Sequence, residues 1–215
     1  YKRQNENTIL NPFNNKEAVS YLFNRESEDF AAIILEPVMG NVGCIPPKKG
    51  YLEFLRKITS ENNVILIFDE VITGFRIDAG GAQEYFGVKA DIGTYGKVVG
   101  GGMPIGVIAG KKEYMDALDG GHWQFGDGSV PEIGVTYFAG TFVRHPFALA
   151  AAKASLLHMK EKGVGLQNAL TQSTNYLVKS INDYCIQQGI PFHLVNFGSL
   201  FKPKYDMDLP NADLL

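Results

Sequence analysis

The sequence has 215 residues, of which 45% are hydrophobic, and its formal net charge at pH 7 is −3. These values are typical of a globular chain with one large domain or slightly more, and they favour neither a nucleic-acid-binding nor a membrane-spanning protein. The two cysteines, Cys44 and Cys185, lack the spacing of metal ligands, so we expect reduced thiols, no metal site and a cytoplasmic location. Because the chain begins at Tyr1, we expect a piece of a longer polypeptide.

Helices and strands are predicted to alternate along the chain, which is the signature of a parallel sheet and an α/β fold. The first half contains predicted helices at 16–24 and 50–61 and predicted strands at 31–35 and 64–68. The second half contains a predicted strand at 105–109, helices at 111–118, 146–161 and 166–188, and strands at 192–197 and 199–201.

Two strands of this predicted sheet end in acids, and a lysine lies farther along the chain. Asp69 directly follows the apolar run at 64–68, and Glu36 directly follows the strand before it. Ligands of open α/β sheets bind in the crevice beyond the carboxyl ends of the strands. Lys97 precedes two valines and three glycines, 100–102, so the backbone around it can approach a ligand closely.

An acid and a partly buried amine together suggest pyridoxal phosphate chemistry. That cofactor needs a lysine to form a Schiff base and an acid to keep its ring nitrogen protonated, roles that Lys97 and Asp69 would fill. The alternative is that Asp69 caps a helix and Lys97 is an ordinary solvated lysine. Nucleotide motifs do not match, because Val98 follows the lysine where a Walker loop needs Ser or Thr, and Ile105 stands where a dinucleotide fingerprint needs glycine.

The strings IFDEVITGFR and GGAQEYFGVKADIGTYGKVVGGGMPIG resemble the core of class III, fold type I, pyridoxal-phosphate aminotransferases. Within that class the resemblance is to the glutamate-1-semialdehyde aminomutase branch. It implies an α/β fold type I large domain, with a mostly parallel sheet flanked by helices, of which residues 1–160 form a part. Residues 161–215 would be a linking helix and the start of a small α+β C-terminal domain in a fragment of a longer family member.

The same resemblance implies roles for individual residues. Lys97 would be the catalytic residue and bind the cofactor, Asp69 would contact the ring nitrogen, and Val71 would pack on one face of the ring, unless it is a plain core valine. Thr141, in FAGTFVRHP, would contact the phosphate of the cofactor in the neighbouring subunit, which implies a homodimer. The segment from Thr73 to Arg76 is interpreted as scaffold.

The substrate is left between alternatives. The segment EPVMGNVG resembles the aminomutase branch, and Asn41 stands where many class III enzymes acting on ω-amino groups have glutamate, although it could simply be a turn residue. The long loop at 119–134 and YFAGTFVRHPFALAAA are more similar to aminotransferase domains of polyketide and nonribosomal-peptide synthases.

The primary prediction is therefore transfer of an amino group from a donor to a β-keto acyl thioester held on a carrier protein. The first alternative is a free-standing glutamate-1-semialdehyde 2,1-aminomutase, which makes 5-aminolevulinate. The second alternative, of a different class, is a non-catalytic scaffold fragment.

Overall fold

The structure, a computed structural model, describes residues 7–26, 30–121, 123, 126–130, 134, 136, 139–141 and 143–205. Its helices are α1 (Lys16–Glu26), α2 (Tyr51–Glu61), α3 (Gly81–Phe86), α4 (Lys112–Asp119), α5 (Pro146–Lys162) and α6 (Val164–Gln188). Its strands are β1 (Ala32–Leu35), β2 (Ile65–Asp69), β3 (Ile92–Tyr95), β4 (Val107–Gly110), β5 (Phe192–Phe197) and β6 (Leu200–Tyr205). Among the described helices, none combines the length and apolar character needed to cross a membrane.

The main sheet has the strand order β1-β2-β3-β4. The first three strands are parallel, with α2 between β1 and β2 in sequence and α3 between β2 and β3, while β4 runs antiparallel to β3. The predicted α/β fold with a mostly parallel sheet flanked by helices is confirmed. Strands β5 and β6 form a separate antiparallel pair, and α6 packs against β5.

The core lies on one face of the sheet, because side chains alternate along a strand and one set meets the helices. Leu66 and Phe68 of β2 are fully buried there against Leu52 and Leu55 of α2. The leucines of α2 are three residues apart and so share one helical face. The opposite face of the sheet, which carries Asp69, is more open.

Two elements near the site were not predicted from the sequence. Strand β3 has four residues, one of which is Gly93, and α3 has six residues that begin at Gly81. Both are too short for a hydrophobic period to emerge, and glycine weakens either pattern. The five predicted helices occur within two residues of their predicted ends. The predicted domain division after residue 160 falls inside α5 and stays a prediction.

Ion pairs to one buried carboxylate hold the amino-terminal end of β3 in place. Asp91, only 2% exposed, accepts a hydrogen bond from the Leu66 amide at 2.8 Å and pairs with Arg56 at 2.9 Å and Lys111 at 2.7 Å. Burial by itself would raise the pKa of Asp91, but these three partners hold it below its ordinary value. One carboxylate thus joins α2, β2 and the segment before α4.

We expect Asp91→Ala to lower the free energy of unfolding at neutral pH by about 2–4 kcal/mol, because the substitution removes a buried carboxylate that accepts one hydrogen bond and forms two ion pairs. The folded pKa is below the unfolded one, so this contribution is complete above about pH 4 and is lost as the pH falls through the folded value. Urea unfolding from pH 3 to pH 7 measures it. Asp183→Asn, which breaks an exposed pair with Lys179, is the matched control and should cost under about 1 kcal/mol. Equal losses for both variants would show that the Asp91 cluster is no more stabilising than a surface ion pair.

Candidate active site

The loops that follow β1, β2 and β3 meet the β5–β6 hairpin at the carboxyl end of the parallel strands. This is the position at which open α/β sheets bind ligands. The Ser199 hydroxyl donates to the Arg76 carbonyl at 3.0 Å, and this bond joins the hairpin to the loop after β2. Gly198, with φ of 57°, lies against Ile77, and a Cβ there would come 3.1 Å from the isoleucine Cγ2. The site is therefore assembled from segments far apart in sequence.

Asp69 is the last residue of β2, and its carboxylate is held in one orientation. Its Oδ1 accepts hydrogen bonds from the Val71 amide at 3.0 Å and from the Thr94 hydroxyl at 3.2 Å. Thr94 is its partner in the β2–β3 register, so both side chains project from the same face of the sheet. Within the described residues, Oδ2 accepts no hydrogen bond. Asp69 therefore caps a tight turn and not a helix, because the next helix, α3, begins only at Gly81. Its Oδ2 stays open to a ligand.

Lys97 begins a 3-10 helix, Lys97–Gly100, two residues after β3 ends. Its φ is 46°, in the left-handed region that side chains other than glycine rarely adopt, so the backbone is strained at this position. Its side chain is exposed in this chain, whereas a partly buried amine was expected from the sequence. The ammonium forms no hydrogen bond or ion pair in the part of the chain that the structure describes.

Val71 and Thr141 differ in how they lie with respect to Asp69 and Lys97. Val71 lies beside the backbone that carries Lys97, because a Cβ on Gly96 would contact Val71 Cγ1 at 3.4 Å. Thr141 is exposed in a turn where the Val143 amide donates to the Gly140 carbonyl at 3.0 Å. Thr141 makes no hydrogen bond to Asp69 or Lys97 among the described residues. Its predicted contact, with the cofactor of a neighbouring subunit, stays a prediction. Parts of the loop at 119–134 lie outside the described residues.

The buried Glu70 closes the loop that connects β2 to α3. Its carboxylate accepts hydrogen bonds from the Ala82 amide at 2.6 Å, the Gln83 amide at 3.2 Å and the Thr73 hydroxyl at 3.1 Å. Burial raises the pKa of Glu70, and these three donors act in the opposite direction. A Cβ on Gly81 would lie 2.2 Å from Glu70 Oε2, so only glycine lets this end of α3 approach the carboxylate.

A cavity of about 260 Å³ lies in front of these loops. Lys97, Arg76 of the loop after β2, and Lys202 of β6 supply its charged lining, and Asn41 and the buried Cys44 supply polar lining from the loop after β1. Asn41 also donates to Glu36 at 3.4 Å. Asp69 and Val71 are not part of the lining. A second cavity, of about 400 Å³, is almost entirely apolar and lies against α5.

Sequence reasoning missed Thr94 and Lys202 and interpreted Arg76 as scaffold. Thr94 could have been found from strand register if β3 had been predicted, because a residue at the end of β3 must lie beside Asp69. Arg76 and Lys202 had no local signal, since they line one cavity only because the hairpin docks on the loop after β2.

Both the sequence and the fold are similar to those of known proteins. The model of the family Aminotransferase class-III matches residues 2–190. A glutamate-1-semialdehyde 2,1-aminomutase of Methanococcus maripaludis is 47% identical over 197 residues, which cover 92% of this chain and 43% of that protein. The chain therefore spans less than half the length of the curated relatives it matches.

Solved structures agree on the fold. An omega-transaminase from Sphaerobacter thermophilus superposes with a TM-score of 0.74 at 29% identity, over 93% of this chain and 42% of that one. A glutamate-1-semialdehyde-aminomutase from Pseudomonas aeruginosa PAO1 in complex with PMP gives 0.73 at 27% identity, over 92% and 42%. The described elements have the architecture of fold type I pyridoxal-phosphate enzymes.

The strain at Lys97 gives a prediction about stability. We expect Lys97→Gly to be more stable than Lys97→Ala by about 1 kcal/mol, because glycine adopts a positive φ without steric cost. At Lys89, whose φ is not positive, the order should reverse, since glycine adds freedom to the unfolded chain. Urea unfolding of the four variants measures both differences. An alanine variant as stable as the glycine variant at position 97 would show that no strain is stored there.

Proposed function

Because this chain belongs to the class III aminotransferase family, we propose that it carries the catalytic lysine of a pyridoxal 5'-phosphate-dependent enzyme that relocates an amino group on a small substrate. Pyridoxal 5'-phosphate is the cofactor of this family, and it supplies an electron-accepting ring when bound. The observation that carries the proposal is that two groups lie at the same edge of the sheet, Asp69 Oδ2 and the Lys97 ammonium, and that neither is hydrogen-bonded within the described residues.

Asp69 is suited to hold a proton on a ring nitrogen. A carboxylate next to a protonated nitrogen forms a short, charge-assisted hydrogen bond and stabilises the charge. Thr94 and the Val71 amide occupy Oδ1 and fix the plane of the carboxylate, which leaves Oδ2 as the acceptor. Thr94 is thus a positioning residue for Asp69. The side chain of Val71, next to Gly96, offers an apolar surface to a flat ring.

Lys97 is suited to move protons. Its amine would hold the cofactor and, when not bonded to it, could accept a proton from a substrate carbon as a base or return one as an acid. The backbone at Lys97 fixes the direction in which its side chain leaves the 3-10 helix Lys97–Gly100. Helix α5 packs against that 3-10 helix. Ser155 of α5 donates to the Val98 carbonyl at 3.0 Å, directly after the lysine. The groups of the described residues therefore fit the cofactor.

The names of the relatives favour an aminomutase reaction. The Methanococcus protein and the Pseudomonas structure described above are both named for glutamate-1-semialdehyde, so a glutamate-1-semialdehyde 2,1-aminomutase, first considered as an alternative, becomes our proposal. Amination of a carrier-bound β-keto acyl thioester within a polyketide or nonribosomal-peptide synthase has no support from these relatives. It stays a prediction, as do the homodimer, the Thr141 contact and the cytoplasmic location.

Direct substrate tests separate the two reactions. We expect the full-length protein that contains this chain to convert glutamate-1-semialdehyde to 5-aminolevulinate without an external amino donor. Amination of a β-keto acyl carrier-protein thioester by a donor amino acid, with no conversion of the semialdehyde, would instead favour the synthase domain. A folded protein that binds the cofactor but acts on neither compound would overturn the proposed reaction.

We expect Asp69→Asn to weaken pyridoxal phosphate binding at least about tenfold and to lower amino transfer at least about a hundredfold. The asparagine oxygen can still accept from Val71 and Thr94, so thermal stability should change little. Absorbance titration with the cofactor measures the affinity, and Asp183→Asn is the control for loss of a distant carboxylate. Unchanged affinity in a folded Asp69→Asn variant would remove Asp69 from the cofactor site.

A further inference from the structure

Helix α6 contacts the loop after β2 through one buried side chain. Gln167, near the start of α6, is 2% exposed, and its Nε2 donates a hydrogen bond to the Phe75 carbonyl at 3.2 Å. Its Oε1 is buried and accepts no hydrogen bond within the described residues. A buried oxygen without a donor costs free energy, and a leucine would fill a similar space without that cost. The bond to Phe75 is therefore what the amide contributes.

Phe75 has a strained backbone at the point where Gln167 binds it. Its φ is 62°, in the left-handed region that is unfavourable for residues with a side chain. Such conformations persist only where the surrounding structure fixes them. Two hydrogen bonds do so here, because Gln167 binds the Phe75 carbonyl and the Ser199 hydroxyl binds the next carbonyl, that of Arg76, at 3.0 Å. Loss of the Gln167 bond would let the loop relax and would change the direction of the Phe75 ring.

The Phe75 ring packs on Tyr95, the last residue of β3. The ring centroids are 5.9 Å apart and the ring planes are inclined by 50°. The Tyr95 hydroxyl accepts a hydrogen bond from Gln83 Nε2 at 2.9 Å, so the ring is held by its hydroxyl as well as by Phe75. A Cβ on Gly74 would come 2.8 Å from Tyr95 Cδ1, which shows how closely the loop approaches this ring. Tyr95 lies two residues before Lys97, so a shift of its ring would move the backbone that carries the lysine.

We propose that Gln167 is a positioning residue for Lys97, which acts through the Phe75 backbone and the contact between the Phe75 and Tyr95 rings. The inference rests on the proposed function, because it takes Lys97 to be the lysine that binds the cofactor. Helix α5 supports the segment after this lysine through Ser155, and Gln167 gives α6 the corresponding role for the segment before it. The two helices are separated by a single residue, so both supports come from one continuous stretch of chain.

Amide hydrogen exchange of the cofactor-free, full-length protein that contains this chain is the first test. We expect Gln167→Met, which keeps the shape but removes the donor, to speed exchange of the Val99 and Gly101 amides of the 3-10 helix at least about fivefold. Asn182→Leu is the matched control, because Asn182 is an amide of the same helix that forms two hydrogen bonds with Leu194, away from the loop. It should change that exchange less than about twofold. An effect of stability alone would be larger in the control, which loses more hydrogen bonds.

Covalent labelling of Lys97 is the second test. After addition of pyridoxal phosphate and borohydride, peptide mass analysis compares the labelling rate of Lys97 with that of the exposed Lys89 in the same molecules. We expect Gln167→Met to lower this ratio at least about fivefold and Asn182→Leu to change it less than about twofold. Phe75→Leu should act like Gln167→Met, and the double variant should be no slower than either, because both changes interrupt one route. If circular dichroism shows that Gln167→Met does not fold, Gln167→Leu replaces it.

The outcomes separate this inference from the proposed function. Faster exchange together with slower labelling of Lys97 in folded Gln167→Met supports the positioning role. If either change is missing while the wild-type protein is labelled at Lys97, or if the effects of Gln167→Met and Phe75→Leu add, the positioning role is overturned and the proposed function is left intact. A wild-type protein that is labelled no faster at Lys97 than at Lys89, with exchange that still depends on Gln167, supports the contact route and overturns the proposed function.

Discussion

The parallel pairing of β2 with β3 is the constraint on which the candidate site depends. This register places Asp69 opposite Thr94, and the Glu70 amide extends it by donating to the Thr94 carbonyl at 2.9 Å. A shift of one residue would turn Asp69 toward the helices and away from the open face, because side chains alternate along a strand. The same pairing brings the end of β3, and with it Lys97, to the edge where Asp69 ends β2. The acid and the amine thus lie at the same edge of the sheet although 28 positions separate them in the sequence.

Two buried carboxylates, Asp91 and Glu70, fix the two ends of this arrangement, and neither is among the groups that we propose to react. Asp91 anchors the start of β3 to α2 and to Lys111, while Glu70 closes the loop after β2 by binding the first amides of α3. Because Glu70 shapes that loop, it also sets where Arg76 meets the hairpin. The free groups of the site, in contrast, are an exposed lysine and one carboxylate oxygen. Asp91 and Glu70 therefore stabilise the fold, whereas Asp69, which is adjacent to Glu70, is the acid that we propose for the cofactor site.

The sequence was sufficient for what depends on local pattern. The spacing of Leu52 and Leu55 predicted α2, the apolar run before Asp69 predicted β2, and the motifs around Lys97 identified the family. It was not sufficient for what depends on assembly. The left-handed backbone at Lys97 results from a 3-10 turn packed on α5, and the cationic cavity results from the docking of β6 on the loop after β2. Neither has a periodic signal, since each arises from contacts between segments that are far apart in the chain.

The central claim is that Lys97 is the residue that binds pyridoxal phosphate covalently. Incubation with the cofactor, borohydride reduction and peptide mass analysis test it most directly. We expect a visible absorbance band and a reduced adduct on the peptide that contains Lys97, with the other lysines unmodified. No band, or an adduct distributed over surface lysines with Lys97 free, would contradict the claim.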